Sequence, residues 1–230
     1  MARNLRIETA PTATAATTAA RIRVRYPILV PVADAILDQM IAEATADAET
    51  VIGRPLARQT YRELLSGSGT ELLRLGRAPL ESVTSVELAD VLLESTDYGM
   101  VDAKQPTLRR LATESTGAYD IWPLARRAAG HVESFAVASA EEFLNIEIVY
   151  VAGYFLPSMN GAAPGGSHVI PIFLEAAIQR LVLDRFEEEK RGQGVASVKK
   201  GDREIRYVEG VGEMSSRICE VLERERDVYQ

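Results

Sequence analysis

The feature that most constrains the fold is the segment "NIEIVYVAGY", residues 145–154, which is apolar on both faces of a strand. Side chains alternate along a strand, so Ile146, Ile148 and Tyr150 share one face. Two valines between them make the other face apolar as well. A strand that is apolar on both faces needs cover on both sides. The sequence therefore predicts that this strand lies in the middle of a sheet.

Residues 32–53 have the apolar periodicity of an amphipathic helix. Its stripe recurs at spacings of three and four residues, at Ile36, Met40, Ala44, Ala48 and Val51. Gly53 follows this stripe and Pro55 comes two residues later, which is a common way for a helix to end. The sequence therefore predicts a helix that ends at about Gly53.

A second helix is predicted after Pro171, and it is apolar around most of its surface. Its apolar side chains are Phe173, Leu174, Ala177, Ile178, Leu181, Val182 and Phe186. Because so much of this helix needs cover, we expect part of residues 171–190 to meet another subunit. A third, more charged helix near the C-terminus carries its apolar side chains on one side, at Met214, Ile218, Val221 and Leu222.

Residues 57–154 have the short patterns of strands. "RQTYRELL" and "TELLRLG" flank the Ser-Gly connection at residues 66–69 and are predicted to pair as a hairpin, and "LESVTSVELA" adds a strand. Residues 89–144 contain three further stretches compatible with strands: "LRRLA", "AYDIWPLA" and "ESFAVAS". The predicted fold class is α+β: a bundle of long α-helices with an inserted small β-subdomain and a protruding β-hairpin near the C-terminus.

The chain divides into two predicted regions. Residues 1–25 are rich in alanine and threonine and have few large apolar groups to offset the entropy of ordering, so we expect a flexible N-terminal tail. Residues 26–228 are predicted to form one domain. Its helical frame comprises residues 32–53 and 170–228, and its β-subdomain comprises residues 57–154.

The stretch "SVKKGDREIRYV", residues 197–208, interrupts the helical C-terminal third. A two-residue turn at Gly201-Asp202 suits a type II′ hairpin, since glycine tolerates the positive φ of the first turn position. The resulting cross-strand pairs are Ala196–Tyr207, Val198–Ile205, Lys199–Glu204 and Lys200–Arg203. A lone two-stranded ribbon is marginally stable in water, so we expect a neighbour to stabilise it.

Composition and motifs argue against several classes of function. The net charge of −7 disfavours nonspecific nucleic-acid binding, and no apolar run is long enough to span a bilayer. Cys219 is the only cysteine, and His131 and His168 are the only histidines, which leaves little for a zinc site. "PGGSH" lacks the Gly-Lys-Ser/Thr of a P-loop. We therefore expect no catalysis, no cofactor and no metal.

Two alternatives stay open at this point. Aspartate and glutamate are plentiful, so an enzyme of unknown reaction that uses acidic residues is the first. The second is a DNA-binding or packaging accessory factor that uses the basic patch formed by Lys199, Lys200, Arg203 and Arg206.

The order of motifs resembles a known family. A helix ending "VIGRPL" precedes "RAPLESVTSVEL", then "VYVAGY" with a proline-led apolar helix, then "SVKKGDREIRYV" and an amphipathic C-terminal helix. This order resembles the head–tail connector (adaptor, head completion) proteins of long-tailed phages and related gene transfer agents. The resemblance covers residues 33–228 and leaves residues 89–144 unmatched.

The resemblance implies a structural virion protein in the neck, at the capsid portal vertex, assembled in the host cytoplasm. Such proteins form a homo-oligomeric ring, typically dodecameric, between the portal protein and a stopper or tail-completion protein. The ring extends the channel through which genomic DNA passes without sequence-specific binding, and no membrane is involved. The C-terminal segment is implied to dock into the portal, so the predicted portal or subunit interface comprises Lys199, Lys200, Gly201, Asp202, Arg203, Ile205, Tyr207, Met214, Ile218 and Leu222.

Overall fold

Local sequence signals set the ends of the helices in the computed structural model. The structure describes residues 3–11, 13–88, 91–102, 105–111, 122, 146–159, 162–191, 197–200, 203–206 and 216–227. Its helices are α1 (Ala19–Arg25), α2 (Asp34–Ile52), α3 (Ile172–Arg191) and α4 (Ser216–Asp227), with a 3-10 turn at Pro27–Leu29. Gly53 ends α2 at a φ of 77°, so the predicted helix end is confirmed.

The largest sheet has five strands in the order β1-β2-β8-β4-β5, and every pair in it is antiparallel. Its strands are β1 (Arg3–Thr9), β2 (Gln59–Leu65), β4 (Leu80–Leu88), β5 (Val91–Leu92) and β8 (Ile146–Ala152). The predicted central strand is confirmed, because β8 is the third of the five. Ile146, Ile148 and Tyr150 are all buried on one of its faces.

Three smaller sheets account for the other described strands. They contain β3 (Leu72–Arg74), β6 (Tyr98–Asp102), β7 (Thr107–Arg110), β9 (Tyr154–Phe155), β10 (His168–Val169), β11 (Ser197–Lys200) and β12 (Arg203–Arg206). The three-stranded sheet has the order β3-β7-β6, while β9 pairs with β10 in parallel and β11 with β12 antiparallel. The predicted hairpin between residues 58–65 and 70–76 is wrong, since β2 pairs with β1 and β8 whereas β3 pairs with β7.

The chain has two hydrophobic cores, and this overturns the predicted helix bundle. One core joins α2, α3 and α4, with Leu174, Ile178 and Val182 of α3 fully buried. The other lies on the large sheet and includes Tyr150 and Trp122. The described residues form only four α-helices against twelve strands in several mainly antiparallel sheets. The prediction of a bundle of long helices is therefore wrong, because sheet and helices each bury a core of their own.

The chain passes from the sheet core to the helical core at Gly153, which has a φ of 106°. Ala152 belongs to the sheet core and Tyr154 to the helical core. A Cβ atom at Gly153 would lie 2.5 Å from the carbonyl oxygen of Ala57. Only glycine fits this position, because both the positive φ and the close backbone oppose a side chain.

The first 25 residues differ from the predicted flexible tail. Residues 3–9 form β1 on the edge of the large sheet, and α1 buries Ile22 against the helical core. The backbone N–H of Ala16 donates to Thr45 Oγ1 at 3.2 Å. Strand pairing and a few buried groups thus hold a segment whose composition favours disorder. The domain boundary at residue 26 stays a prediction.

Arg58 and Glu81 form a bidentate ion pair between the start of β2 and the start of β4, with contacts of 2.6 and 2.8 Å. Burial tends to raise the pKa of Glu81, but the Arg58 guanidinium, with Ser167 and His168, lowers this pKa overall below its ordinary 4.5. Because the folded pKa lies below the unfolded one, the pair stabilises the fold above about pH 4.5, and this stabilisation is lost as the pH falls through the folded pKa.

Replacing Glu81 with glutamine is expected to lower the free energy of unfolding by about 1–2 kcal/mol at pH 7. The difference from the parent chain should shrink as the pH falls below about 4.5, where the carboxylate of the unfolded parent chain becomes protonated, and should vanish below the lowered pKa of the folded carboxylate. Urea unfolding at a series of pH values measures both effects. Glu71→Gln is a suitable control, because the Glu71–Arg109 pair is half exposed. If Glu81→Gln lowered the free energy of unfolding equally at pH 3 and pH 7, the ionised Glu81 carboxylate would not be the source of the stabilisation.

Candidate assembly surface

The residues predicted to form an interface divide into three groups in the structure. Lys199 and Lys200 lie in β11, and Arg203 and Ile205 lie in β12. Ile218 and Leu222 of α4 are buried in the helical core of the same chain, so these two side chains serve its own packing. The remaining predicted positions fall outside the described residues: Gly201, Asp202, Tyr207 and Met214.

The register of the C-terminal hairpin is as predicted. Val198 lies opposite Ile205, Lys199 opposite Glu204, and Lys200 opposite Arg203. The predicted Ala196–Tyr207 pair and the turn lie outside the described residues. Among the described strands, β11 and β12 pair only with each other, so each has one unpaired edge.

A helical groove lies where α1, α3 and α4 meet. We define it by Val24, Arg25, Ile172, Phe173 and Arg180. It comprises adjoining depressions of about 600 Å³ and 340 Å³ that share Arg25. Val24 is 85% exposed and Ile172 is 83% exposed, although both are apolar. The groove is therefore an apolar surface with cations beside it, which is typical of a surface that a partner covers.

A buried polar network fixes one side of the helical groove. Thr17 Oγ1 donates to Glu175 Oε1 at 2.9 Å, and Gln179 Nε2 donates to Thr17 Oγ1 at 2.9 Å. Arg21 Nε lies 3.1 Å from Glu175 Oε1, and Arg25 donates to Gln179 Oε1 at 3.3 Å. These bonds hold α1 against α3, so the positions of the exposed groove residues are defined by the fold.

The charges along the groove are mostly paired within the chain, with one exception. Arg180 lies 2.9 Å from Asp184, and burial raises the pKa of Asp184 above its ordinary 3.8 although Arg180 opposes the rise. Arg25 contacts only the Gln179 amide and the face of the Tyr26 ring, 5.7 Å away, and no described carboxylate pairs with it. Arg25 is therefore an exposed cation available to a partner.

Residues 91–102, which we call the acidic segment, form a second exposed apolar surface. Its exposed apolar residues are Val91, Leu92, Met100 and Val101. The segment contains Glu94, Asp97 and Asp102 but no lysine or arginine. The backbone N–H of Glu94 donates to Asp97 Oδ2 at 3.2 Å, and Asp97 is buried. This hydrogen-bonded turn exposes the Glu94 carboxylate, which pairs with no described cation.

The described residues hold no group of three histidine, cysteine, aspartate or glutamate side chains placed to bind a metal. His168 lies in β10, where its ring nitrogen Nε2 is 3.1 Å from the carbonyl oxygen of Leu80. None of the described helices is long and apolar enough to cross a membrane. The helical groove and the acidic segment both combine exposed apolar side chains with flanking charge, which is typical of a binding surface.

Comparison with solved structures gives similarity along nearly the whole chain. A chain in the neck of a native gene transfer agent particle, computed with C12 symmetry, matches at a TM-score of 0.52 and 19% identity, covering 97% of this chain and 94% of that chain. A chain in the neck of an empty gene transfer agent particle, computed with C6 symmetry, matches at a TM-score of 0.54 and 20% identity, covering 97% of this chain and 95% of that chain. A chain in the virion of a native gene transfer agent particle matches at a TM-score of 0.55 and 18% identity, covering 96% of this chain and 94% of that chain.

The chain has the fold of a chain found in gene transfer agent necks. The resemblance inferred from the order of its sequence motifs is thereby confirmed at the level of the fold. Two of the similar chains come from structures of particle necks, the part of the virion that the resemblance implied. No protein-family model and no curated protein sequence matches the chain.

Sequence reasoning missed two parts of this surface. It predicted that residues 171–190 meet another subunit, but it placed Val24 and Arg25 in a flexible tail and did not interpret residues 91–102. A signal was present in "RIRVR", residues 21–25, where apolar and cationic residues alternate without any acid. Composition averaged over residues 1–25 obscured this signal.

Proposed function

We propose that this protein is a structural component of a virion neck, a ring-shaped head–tail connector that lies between the portal and the stopper or tail. The observation that carries the proposal is the similarity of fold, over 96–97% of this chain, to chains in gene transfer agent particles. Two of those particle necks were computed with C12 and C6 symmetry, which supports a ring of identical subunits. The role is structural and needs no catalysis.

Exposed apolar groups support assembly into a ring. Ile172 and Phe173 begin α3 and are 83% and 51% exposed, although Leu174, Ile178 and Val182 of the same helix are fully buried. Covering a large apolar side chain contributes about 1.5–3 kcal/mol. Subunit contacts at this end of α3 would therefore stabilise the ring, in line with the contact expected for residues 171–190.

The C-terminal hairpin and the segment after it are the proposed contact with the portal. The hairpin edges are available because β11 and β12 have no other strand partner among the described residues. Lys199, Lys200 and Arg203 would meet the portal from the two strands, with Gly201, Asp202, Ile205, Tyr207 and Met214 completing the contact. Ile218 and Leu222 would anchor α4 behind it from within the chain.

The proposed ring extends the DNA channel without binding DNA tightly. A net charge of −7 disfavours nonspecific DNA binding, which would otherwise obstruct passage of the genome. The downstream partner is a stopper or tail-completion protein. The particle neck, assembled in the host cytoplasm, is the proposed location.

Mass measurement and electron microscopy of the full chain, alone and with its portal, test the proposal. We expect closed rings with the portal present, of twelve subunits if the ring follows the C12 symmetry of the similar neck. Lys199→Glu places like charges opposite Glu204 in the hairpin and is expected to weaken portal binding about tenfold. Lys190→Glu, the same charge change at the exposed end of α3, is the matched control. A strict monomer that ignores the portal would overturn the proposal.

The same preparations separate the alternatives. Ring formation that needs neither metal nor nucleotide supports the connector. Tight DNA binding that weakens steeply with salt would favour a DNA-binding or packaging factor instead. Rings that need a metal or nucleotide would favour an enzyme of unknown reaction.

A further inference from the structure

Two exposed surfaces of this chain are complementary in charge. Residues 19–30, which include α1, contain three arginines and no acid, and of these Arg21 pairs with Glu175 and Arg23 with Asp34. The acidic segment contains three acids and no base, and Asp97 is buried while Glu94 is exposed. The neighbouring strand β7 contributes Arg109, which pairs with Glu71, and the buried Arg110. Both stretches also expose large apolar side chains, among them Val24 at 85% and Leu92 at 64%. One chain therefore has two different apolar surfaces of opposite charge.

Each surface also holds one exposed charge without an ionic partner among the described residues. On the helical groove this charge is Arg25, which adjoins Val24. On the acidic segment it is Glu94, two residues from Leu92. Both charges sit on ordered backbone, since α1 is held by the Glu175 network and the turn after Glu94 is held by buried Asp97. Little ordering is needed when the two surfaces meet, which favours association.

We infer that the acidic segment of one subunit seats in the helical groove of the next subunit, with Glu94 facing Arg25. This inference rests on the proposed ring and specifies its subunit interface. The occupant of the groove is a second copy of this chain, because that copy supplies both exposed apolar side chains and a carboxylate for Arg25, which has none among the described residues.

A contact between two different surfaces has a geometric consequence. Each subunit uses its groove towards one neighbour and its acidic segment towards the other, so the contact is heterologous. Heterologous contacts generate closed rings when the rotation between subunits closes. A self-complementary contact at the same surfaces would stop at a dimer. The arrangement therefore accounts for rings rather than pairs.

Charge reversal on each side tests the inference in the full chain, under conditions where the parent forms rings. Arg25→Glu alone places two carboxylates opposite each other at every contact, and Glu94→Arg alone places two guanidinium groups opposite each other. Each single change is expected to weaken self-association about tenfold per contact. The double variant Arg25→Glu/Glu94→Arg restores opposite charges at every contact and should form rings again.

Mixing the two single variants gives a sharper result. In an alternating ring, each contact joins either the original pair or the reversed pair, so an equimolar mixture should close rings that neither variant closes alone. A mixture that stops at dimers would overturn the head-to-tail arrangement. Mass photometry of the separate and mixed variants measures the outcome.

Controls separate loss of the contact from loss of the fold or of the proposed function. Lys190→Glu makes the same charge change elsewhere on the helical layer and should leave rings intact. Glu94→Arg should keep the unfolding midpoint of the parent chain. Arg25→Glu also removes the hydrogen bond to Gln179, so recovery of rings in the double variant, which carries the same loss, separates loss of the contact from loss of the fold. Parent rings that persist in both single variants would overturn this inference alone. A parent chain that forms no ring, with or without portal, would overturn the proposed function and this inference together.

Discussion

Replacing Gly153 with alanine is expected to lower the free energy of unfolding by about 3–5 kcal/mol, a large fraction of the stability of an ordinary domain. The added Cβ atom would lie 2.5 Å from the Ala57 carbonyl oxygen and 2.9 Å from its carbon, and neither backbone atom can move freely. The N–H of Gly153 donates to Pro79 O at 2.9 Å, and the N–H of Tyr154 donates to Leu56 O at 2.7 Å. These two hydrogen bonds fix the backbone where the chain passes from the sheet core to the helical core. Urea unfolding monitored by circular dichroism measures the change.

Gly166 offers a matched control for this substitution. Its φ of 88° is positive, as is the φ of Gly153, but an added Cβ atom at Gly166 would meet nothing within 4 Å. Gly166→Ala should therefore cost only the backbone strain of a left-handed residue, about 1 kcal/mol. Equal losses of stability in the two variants would show that the close approach to Ala57 has no energetic weight.

The second large effect is expected at the buried ion pair that fixes α4. Arg54 Nη2 lies 3.2 Å from Glu225 Oε1, and both side chains are more than nine-tenths buried. Tyr154 Oη also donates to Glu225 Oε1, and Arg54 donates to the carbonyl oxygen of Ala78. Arg54→Met leaves the Glu225 carboxylate buried without its cation, so we expect a loss of about 3–5 kcal/mol.

Arg185→Met is the control, because Arg185 pairs with Glu43 and Asp47, whose side chains are half exposed. This variant is expected to lose about 1 kcal/mol or less. Hydrogen exchange should localise the Arg54→Met effect to α4, whose amides are expected to lose protection before those of the large sheet. If Arg54→Met is no more destabilising than Arg185→Met, the buried pair does not hold α4 in place.

Much of the local structure was predictable from sequence periodicity. The central position of β8 followed from a strand apolar on both faces, and the end of α2 followed from Gly53. The hairpin register followed from a Gly-Asp turn, and the described pairs match it. These features depend on residues close together in the chain, where alternation, helical spacing and turn chemistry apply directly.

Errors occurred where a choice between distant partners was needed. Residues 58–65 and 70–76 were predicted to form a hairpin because they are adjacent in sequence, yet β2 pairs with β1 and β8 instead. Similarly, Ile36 fits the apolar stripe of α2 but is half exposed, and Leu37 is fully buried in its place. Periodicity gives the spacing of a stripe, but the position of the neighbouring element decides which residues it covers.

In the candidate assembly surface, too, local features were predictable from the sequence and contacts between distant segments were not. The sequence by itself determined that residues 171–190 form a helix with more apolar surface than one contact face needs, and that a motif order shared with connector proteins runs through the chain. Only the tertiary structure decided that α1 packs beside α3, leaving Val24, Ile172 and Arg25 exposed in one groove. The physical reason is that burial depends on packing between segments far apart in the chain, such as those of Thr17 and Glu175, which are 158 residues apart, and no local pattern specifies that packing.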